Sequence, residues 1–395
     1  MSEPRCLLIG AGRVAGGFVA PLLRAAGWEV VLAARNREVL TAINEGGGLL
    51  LRTVGDRPEE HWVGGVSAIS LDDPDLPRVV AGADLLATSV GPSALTSVGR
   101  MIAPLLRERL EASGAPVNLI TFENHRRAPE LLTFGLLEAC PLLAGQIGKR
   151  LGIGGSAVWC AISRREVTDS AVRFDADDVD ECYVDAASLV SGVAPLDGSV
   201  PGLELVRSFD DRMVEKLWTF NAGHAAAAYL GWHAGASTLD EAMSKTEIRA
   251  AIGEIVAETQ RAFEAYLAAR SGSAPIPARS LDWILDRYAE PALSDPVARV
   301  GREPRRKLAP GDRLIGPAIA CRAAGIDPTA LAAAAAAALA YGESSDPQAP
   351  DLQQELELLG PEEVLSTVST LDPQDELARL ICDHYRERIA QEVAG

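Results

Sequence analysis

At 395 residues the chain is long enough for two domains, each with its own core, and its 48% apolar and 23% charged residues are ordinary for a globular protein. A formal net charge of −18 excludes a general coating of nucleic acid, because no surplus of Lys and Arg exists to displace counterions. No run of about 18 apolar residues offers a membrane span, the opening MSEPRCLLIGAG lacks the pattern of a secretory signal, and the six cysteines contain no CxxC pair. These features predict reduced thiols in the cytoplasm. The five histidines are equally dispersed, so no metal site is expected.

In chain order, CLLIG predicts a buried strand, 14–26 a helix, EVVLAA a second strand and 37–44 a helical segment. ADLLATSVG (83–91) and VNLITFEN (117–124) are two more strand-like runs, each ending in a glycine or polar turn. Strands alternating with helices imply βαβ units and a parallel sheet. The region 156–184, with SAVWCAI and DECYVD, predicts an extension of that sheet. After the Gly- and Pro-rich loop 191–205 the pattern is helical to the end, including the alanine run 329–341, since alanine is the best helix former. The expected organisation is an α/β N-terminal domain over 1–200, with a mostly parallel, extended sheet, followed by a mainly α-helical domain over 201–395.

LLIGAGRVAGGF carries Gly10, Gly12 and Ala15 as G-x-G-x-x-A, directly after a strand and opening a helix. Gly10 permits the tight turn, Gly12 lets backbone approach a pyrophosphate, and Ala15 keeps helix and sheet close. Ala11, Arg13 and Val14 complete the expected dinucleotide loop, and Val90 and Gly91, ending another strand, could border the nicotinamide. An NAD site usually ends its second strand in Asp or Glu. Here that place reads Ala34-Arg35-Asn36-Arg37. Guanidinium groups match a 2′-phosphate, so NADP is favoured over NAD, solvated surface arginines being the alternative.

EKLWTFNAGHAAAAYLG (215–231) reads as an apolar helix, yet it holds Lys216, Asn221 and His224. At roughly 100° per residue, His224 lies at about 80° and Asn221 at about 140° from Lys216, so the three fan over one side. A desolvated lysine can serve as a base without metal, an amide N–H can hold a developing alkoxide, and a histidine can orient a hydroxyl. A snorkelling lysine beside a satisfied core histidine is the bland alternative. Glu123, Asn124 and His125 follow the strand at 117–121, at the end where open α/β sheets bind ligands; Asn124 as a turn former is the alternative there. His61, His233 and His384 have no such context and are expected to be structural or surface residues.

Together, GAGRVAGGF, TSVGP, FENH, KLWTFNAGHAAAAYLG, RVGREPRRKLAPGDRLIGP (299–317) and the tail SSDPQAPDLQQELELLGPEEVL resemble the mannitol dehydrogenase family, and within it the branch acting on mannitol 1-phosphate. The resemblance covers nearly the whole chain. It implies a Rossmann-like N-terminal domain, a helical C-terminal domain and an active site in the cleft between them. Lys216 would be the general base, Asn221 and Asn124 would stabilise the alkoxide, His224 would bind substrate, and Asn124 would also border the cofactor. Arg299, Arg306 and Lys307, with Arg302, Arg305 and Arg313 in the same block, would hold a substrate phosphate or, equally, bridge elements as ion pairs.

Two departures bear on the substrate. Phosphate-using members carry a basic residue before the lysine, where this chain has Glu215, and a V-D-R-I segment where it reads Val158-Trp159-Cys160-Ala161-Ile162. Losing cations and gaining a carboxylate weakens dianion binding. The expected reaction is therefore NADP- or NAD-dependent interconversion of a polyol and its ketose, mannitol 1-phosphate and fructose 6-phosphate by default. An unphosphorylated or acidic polyol is the alternative, and an NADP(H)-binding sensor without catalysis the alternative of another class. A monomer or weak homodimer with no macromolecular partner is expected.

Overall fold

The apolar runs of the first half fold into twelve strands among the residues that the computed structural model describes, which are 3–54, 58–168, 171–179, 181–194, 200, 202–270 and 275–394. They are β1 (Arg5–Ile9), β2 (Glu29–Ala34), β3 (Gly48–Thr53), β4 (Glu60–Gly64), β5 (Val66–Ser70) and β6 (Leu85–Thr88). Then follow β7 (Val117–Thr121), β8 (Leu151–Val158), β9 (Ile162–Val167), β10 (Val172–Ala176), β11 (Cys182–Asp185) and β12 (Leu203–Val206). The chain divides into two units, Met1–Met213 and Val214–Gly395.

In the first unit eight strands form one sheet, in the order β12-β11-β8-β7-β6-β1-β2-β5. The six strands from β8 to β5 are parallel, and β11 joins β8 antiparallel. These strands are apolar on both faces because both are covered: Cys6, Leu8 and Leu32 enter one core layer, while Leu7, Ile9 and Leu119 enter the other. Each such fully buried aliphatic side chain contributes about 1.5–3 kcal/mol. This is a Rossmann-like, mostly parallel sheet.

The region 156–184 does not stay in that sheet, contrary to the sequence expectation. Strands β8 and β11 belong to it, but β9 and β10 pair with β3 and β4 in a separate four-stranded sheet, ordered β4-β3-β10-β9. The reason lies in ISRREV and VRFDA: a strand buried on both faces has no place for Arg164, Glu166, Arg173 and Asp175, which here form a cross-strand ion-pair cluster with Arg52. The small sheet seats directly on the helix after the glycine loop. A Cβ at Gly16 would lie 2.2 Å from the Phe174 ring, and one at Gly17 would lie 2.9 Å from Ile162. Because β12 pairs with β11, the first unit continues beyond residue 200 to Met213. Residues 195–199 and 201 of the predicted loop lie outside the described residues.

The regular elements of the second unit are all helices among its described residues, joined by loops and one isolated β-bridge between Thr238 and Pro296. The helix Asn221–His233 packs on the long helix Thr246–Ala268 and on the alanine helix Thr329–Leu339. Eight of the eleven residues of that alanine helix are buried, small side chains allowing close approach on several sides. Its N-terminal amides are held from outside: the buried Glu258 carboxylate accepts Ala330 N–H at 2.9 Å and Leu331 N–H at 2.8 Å. Among the described residues no helix is long and apolar enough to cross a membrane.

Candidate active site

Strand β1 ends at Ile9, and the chain turns sharply through Gly10 at φ +118°, a conformation that L side chains rarely adopt. A Cβ there would also lie 2.1 Å from the Ser89 carbonyl oxygen, so only glycine fits. Gly12 has room, with Ser89 O at 3.8 Å from its notional Cβ. The helix starts at Arg13 and widens into a π-turn over Ala15–Val19 before continuing as Ala20–Ala25, one residue short of the predicted end. Gly10, Ala11, Gly12, Arg35, Asn36 and Val90 all line one cleft of about 310 Å³. Arg13, Val14, Gly91 and Asn124 are not part of its lining. Turn, cleft and helix start fit a nicotinamide dinucleotide.

Arg35 is exposed at the end of β2, and no ion pair holds it among the described residues. Asn36 is the N-cap of the helix Arg37–Gly46, its Oδ1 accepting Val39 N–H at 3.2 Å. Arg37 is exposed and outside the cleft lining. Two further residues matter: Arg165, which sequence reasoning did not place, and Glu123, which it placed at the ligand-binding end of the sheet without assigning it a role. Arg165, on β9, lines the cleft and donates from Nη1 to the Ala11 carbonyl at 3.1 Å. Glu123 is buried and accepts Val90 N–H at 2.8 Å and Gly91 N–H at 2.9 Å, locking the turn after β6 to the end of β7. Burial pushes its carboxyl above the usual range against those bonds. The Val90 and Gly91 amides are thus engaged with Glu123. Its sequence signal was a carboxylate directly after one strand and a glycine turn after the next. Asn124 is exposed beyond it.

In the second unit Lys216 opens a π-turn, Lys216–Phe220, whose closing bond runs from Asn221 N–H to Lys216 O. That i→i+5 bond changes the geometry expected from a regular helix. A π-turn absorbs one extra residue, which removes about 100° from the phase of everything after it. Asn221 then falls at about 40° and His224 at about −20° from Lys216, a sector of about 60° in place of a broad fan. Carbonyls disturbed by the bulge find other donors: Thr219 Oγ1 donates to Glu215 O at 2.7 Å, and the Tyr288 hydroxyl donates to Phe220 O at 2.5 Å. Lys216 is 7% exposed and Asn221 5%, and Asn221 Nδ2 has no hydrogen-bond partner among the described residues.

His224 stands between Phe220 and Tyr288, ring centroids 6.0 and 5.6 Å away. Its Nε2 lies 3.3 Å from Asp295 Oδ2. The carboxylate alone would favour the imidazolium, but burial and then the cations Arg299, Arg313, Lys307 and Arg287 drive the His224 pKa well below its ordinary value. The ring is therefore neutral, Asp295 fixes the proton on Nε2, and Nδ1 is left as an acceptor. Lys307 is 3% exposed, donates to Arg302 O, and is also driven well below its ordinary pKa by burial and by Arg313 and Arg306. The arginines have carboxylate partners: Arg299 with Asp295, Arg306 with Glu303 at 2.8 Å, Arg313 with Asp312 at 2.7 Å, and Arg305 with Glu355 at 2.6 Å. His233 bonds the Ala337 carbonyl at 3.0 Å, and His61 and His384 lie by Glu59 and Glu387. Glu215 is buried, and Val158 to Ile162 spans the step from β8 to β9.

Residues 4–143 match the mannitol dehydrogenase Rossmann domain, and residues 206–381 match the mannitol dehydrogenase C-terminal domain. The mannitol-1-phosphate 5-dehydrogenase of Geobacillus thermodenitrificans (strain NG80-2) is 30% identical over 390 residues, which cover 97% of this chain and 98% of that protein. Pseudomonas fluorescens mannitol 2-dehydrogenase, solved as a ternary complex with NAD and D-mannitol, gives a TM-score of 0.76 at 15% identity, over 100% of this chain and 93% of that one. A D-sorbitol dehydrogenase in substrate-free form gives 0.74 at 15% identity, over 99% and 94%. At such identity the structural likeness shows the fold.

Proposed function

The chain belongs to the mannitol dehydrogenase family of oxidoreductases, and from that premise we propose that it interconverts a polyol phosphate and its ketose with Lys216 as general base. Mannitol 1-phosphate and fructose 6-phosphate are the proposed pair, by likeness to the Geobacillus relative. The observation that carries the assignment of roles is the π-turn at Lys216, which phases a buried lysine, an Asn221 Nδ2 without an acceptor among the described residues, and His224 toward one sector. A nicotinamide held at the glycine loop would supply the hydride acceptor. In the oxidation direction Lys216 Nζ, acting as the base, takes the hydroxyl proton as the carbinol C–H hydride departs. Asn221 Nδ2 donates to the oxygen as negative charge grows on it, and Asn124 is assigned the same part. Neutral His224 accepts a neighbouring substrate hydroxyl at Nδ1.

The phosphate is assigned to the block containing Arg299, Arg306 and Lys307. Its support is the cation cluster that, after burial, lowers the pKa of both His224 and Lys307, since an anionic ligand would relieve that repulsion. An unphosphorylated or acidic polyol is the second reading, favoured by the carboxylates already paired with Arg299, Arg305, Arg306 and Arg313. NADP is proposed over NAD because β2 ends without a carboxylate and Arg35 lines the cleft.

Initial rates with NADH or NADPH, each with fructose 6-phosphate or fructose, test these choices. Turnover confined to fructose would move the substrate to the second reading, and a preference for NADH would remove the role of Arg35. Lys216→Met should abolish turnover while cofactor affinity stays within about twofold; a variant retaining a tenth of wild-type kcat would end the assignment of the base.

A further inference from the structure

The four-stranded sheet has a place in the cofactor site. Its register pairs Arg165 with Phe174, so the two side chains share a face. Phe174 covers Gly16, one turn into the helix that follows the glycine loop. Arg165 is thereby delivered to the loop itself, where it meets the Ala11 carbonyl at 3.1 Å and lines the same cleft as Gly10 and Gly12. Its neighbours Arg164 and Glu166 point the other way and pair with each other at 3.5 Å. Arg165 pairs with no carboxylate among the described residues. This exposed guanidinium beside the loop whose glycines admit a pyrophosphate has no carboxylate counterpart among the described residues.

We infer that Arg165 clamps the cofactor's pyrophosphate from the second sheet. The Ala11 carbonyl holds the guanidinium in place while its remaining N–H groups are open to phosphate oxygens. This assigns the two arginines different work: Arg35, at the end of β2, addresses the adenosine ribose and its 2′ substituent, whereas Arg165 addresses the diphosphate that NAD and NADP share. The inference rests on the dinucleotide reading of the cleft.

Full-length wild type, Arg165→Ala and Arg165→Lys would be titrated with NADH and NADPH by fluorescence, and with ADP-ribose and adenosine by calorimetry, with melting curves of all three proteins. Arg165→Ala should weaken NADH, NADPH and ADP-ribose alike, by about 10- to 100-fold, with adenosine unchanged and melting retained, and Arg165→Lys should recover part of the loss. Unchanged ADP-ribose affinity would overturn the clamp. A loss confined to NADPH would also overturn it, transferring Arg165 to the 2′-phosphate. Equal loss of adenosine, or a collapsed melting curve in both variants, would show that the residue only holds the loop together. Failure of wild type to bind either dinucleotide would instead remove the reading of the cleft.

Discussion

Replacing Asn221 by leucine should make the protein more stable and a worse catalyst. The side chain is 5% exposed, and its Nδ2 finds no acceptor among the described residues. A buried donor left without an acceptor costs about 1–3 kcal/mol in the resting protein, and leucine, with the same number and branching of side-chain heavy atoms, removes that cost. One kcal/mol corresponds to about 2–4 °C in Tm for a unit of 150–250 residues, so the second unit, Val214–Gly395, should melt a few degrees higher. Turnover should move the other way. Losing one donor to a developing oxyanion costs about 10²–10³ in kcat. Urea or thermal unfolding and initial rates at saturating cofactor measure both quantities on the same preparation. Asn221→Leu melting lower by several degrees while keeping kcat within tenfold would refute the reasoning, because it would make the amide a structural group.

Other expectations follow from neighbouring features. His224 has a folded pKa below its unfolded value, so its contribution to stability is present above about pH 6.5 and is lost as pH falls, by up to about 1.4 kcal/mol per pH unit. Urea midpoints at pH 7.0 and 5.5 should separate in wild type and draw together in His224→Gln; an unaltered difference would show that other groups set the slope. Glu258→Ala leaves two amides of the alanine helix without their charged acceptor and should destabilise the second unit by about 2–4 kcal/mol, with Glu258→Gln recovering about half. Melting within a degree of wild type would mean that solvent replaces the carboxylate. Gly16→Val should push Phe174 off its seat, and cofactor affinity should fall with no change at Lys216; an affinity within twofold of wild type would show that the small sheet can shift freely.

Much of this arrangement was legible because it is local. The strand before Gly10, the glycine spacing and the missing carboxylate after β2 are all written within a few positions. The same holds for Lys216, Asn221 and His224, whose residue types announce chemistry in an apolar helix. Their phase was not legible, because the bulge is held by Tyr288, whose hydroxyl reaches Phe220 O from 68 residues away. The second sheet was hidden for a like reason: β3 pairs with β10 and Arg52 with Asp175 across 123 residues, and no short pattern predicts such partners. Arg165 was invisible until that pairing fixed its face. Arg164-Arg165-Glu166 reads in sequence as one solvated charge run.

The π-turn at Lys216 has a meaning for how this segment can vary. A helix carrying one such turn holds one residue more than a regular helix of the same rise would need. Deleting a single codon between 217 and 219 would let the segment relax to ordinary i→i+4 bonding, which is the better-bonded backbone. Asn221 and His224 would keep their places at about 40° and −20° from Lys216, because they would then stand four and seven regular positions beyond it. The segment can therefore present the same polar sector at two lengths, with the π-turn or with one residue fewer and regular bonding, whereas an added residue that no further bulge absorbs would rotate Asn221 and His224 by about 100°.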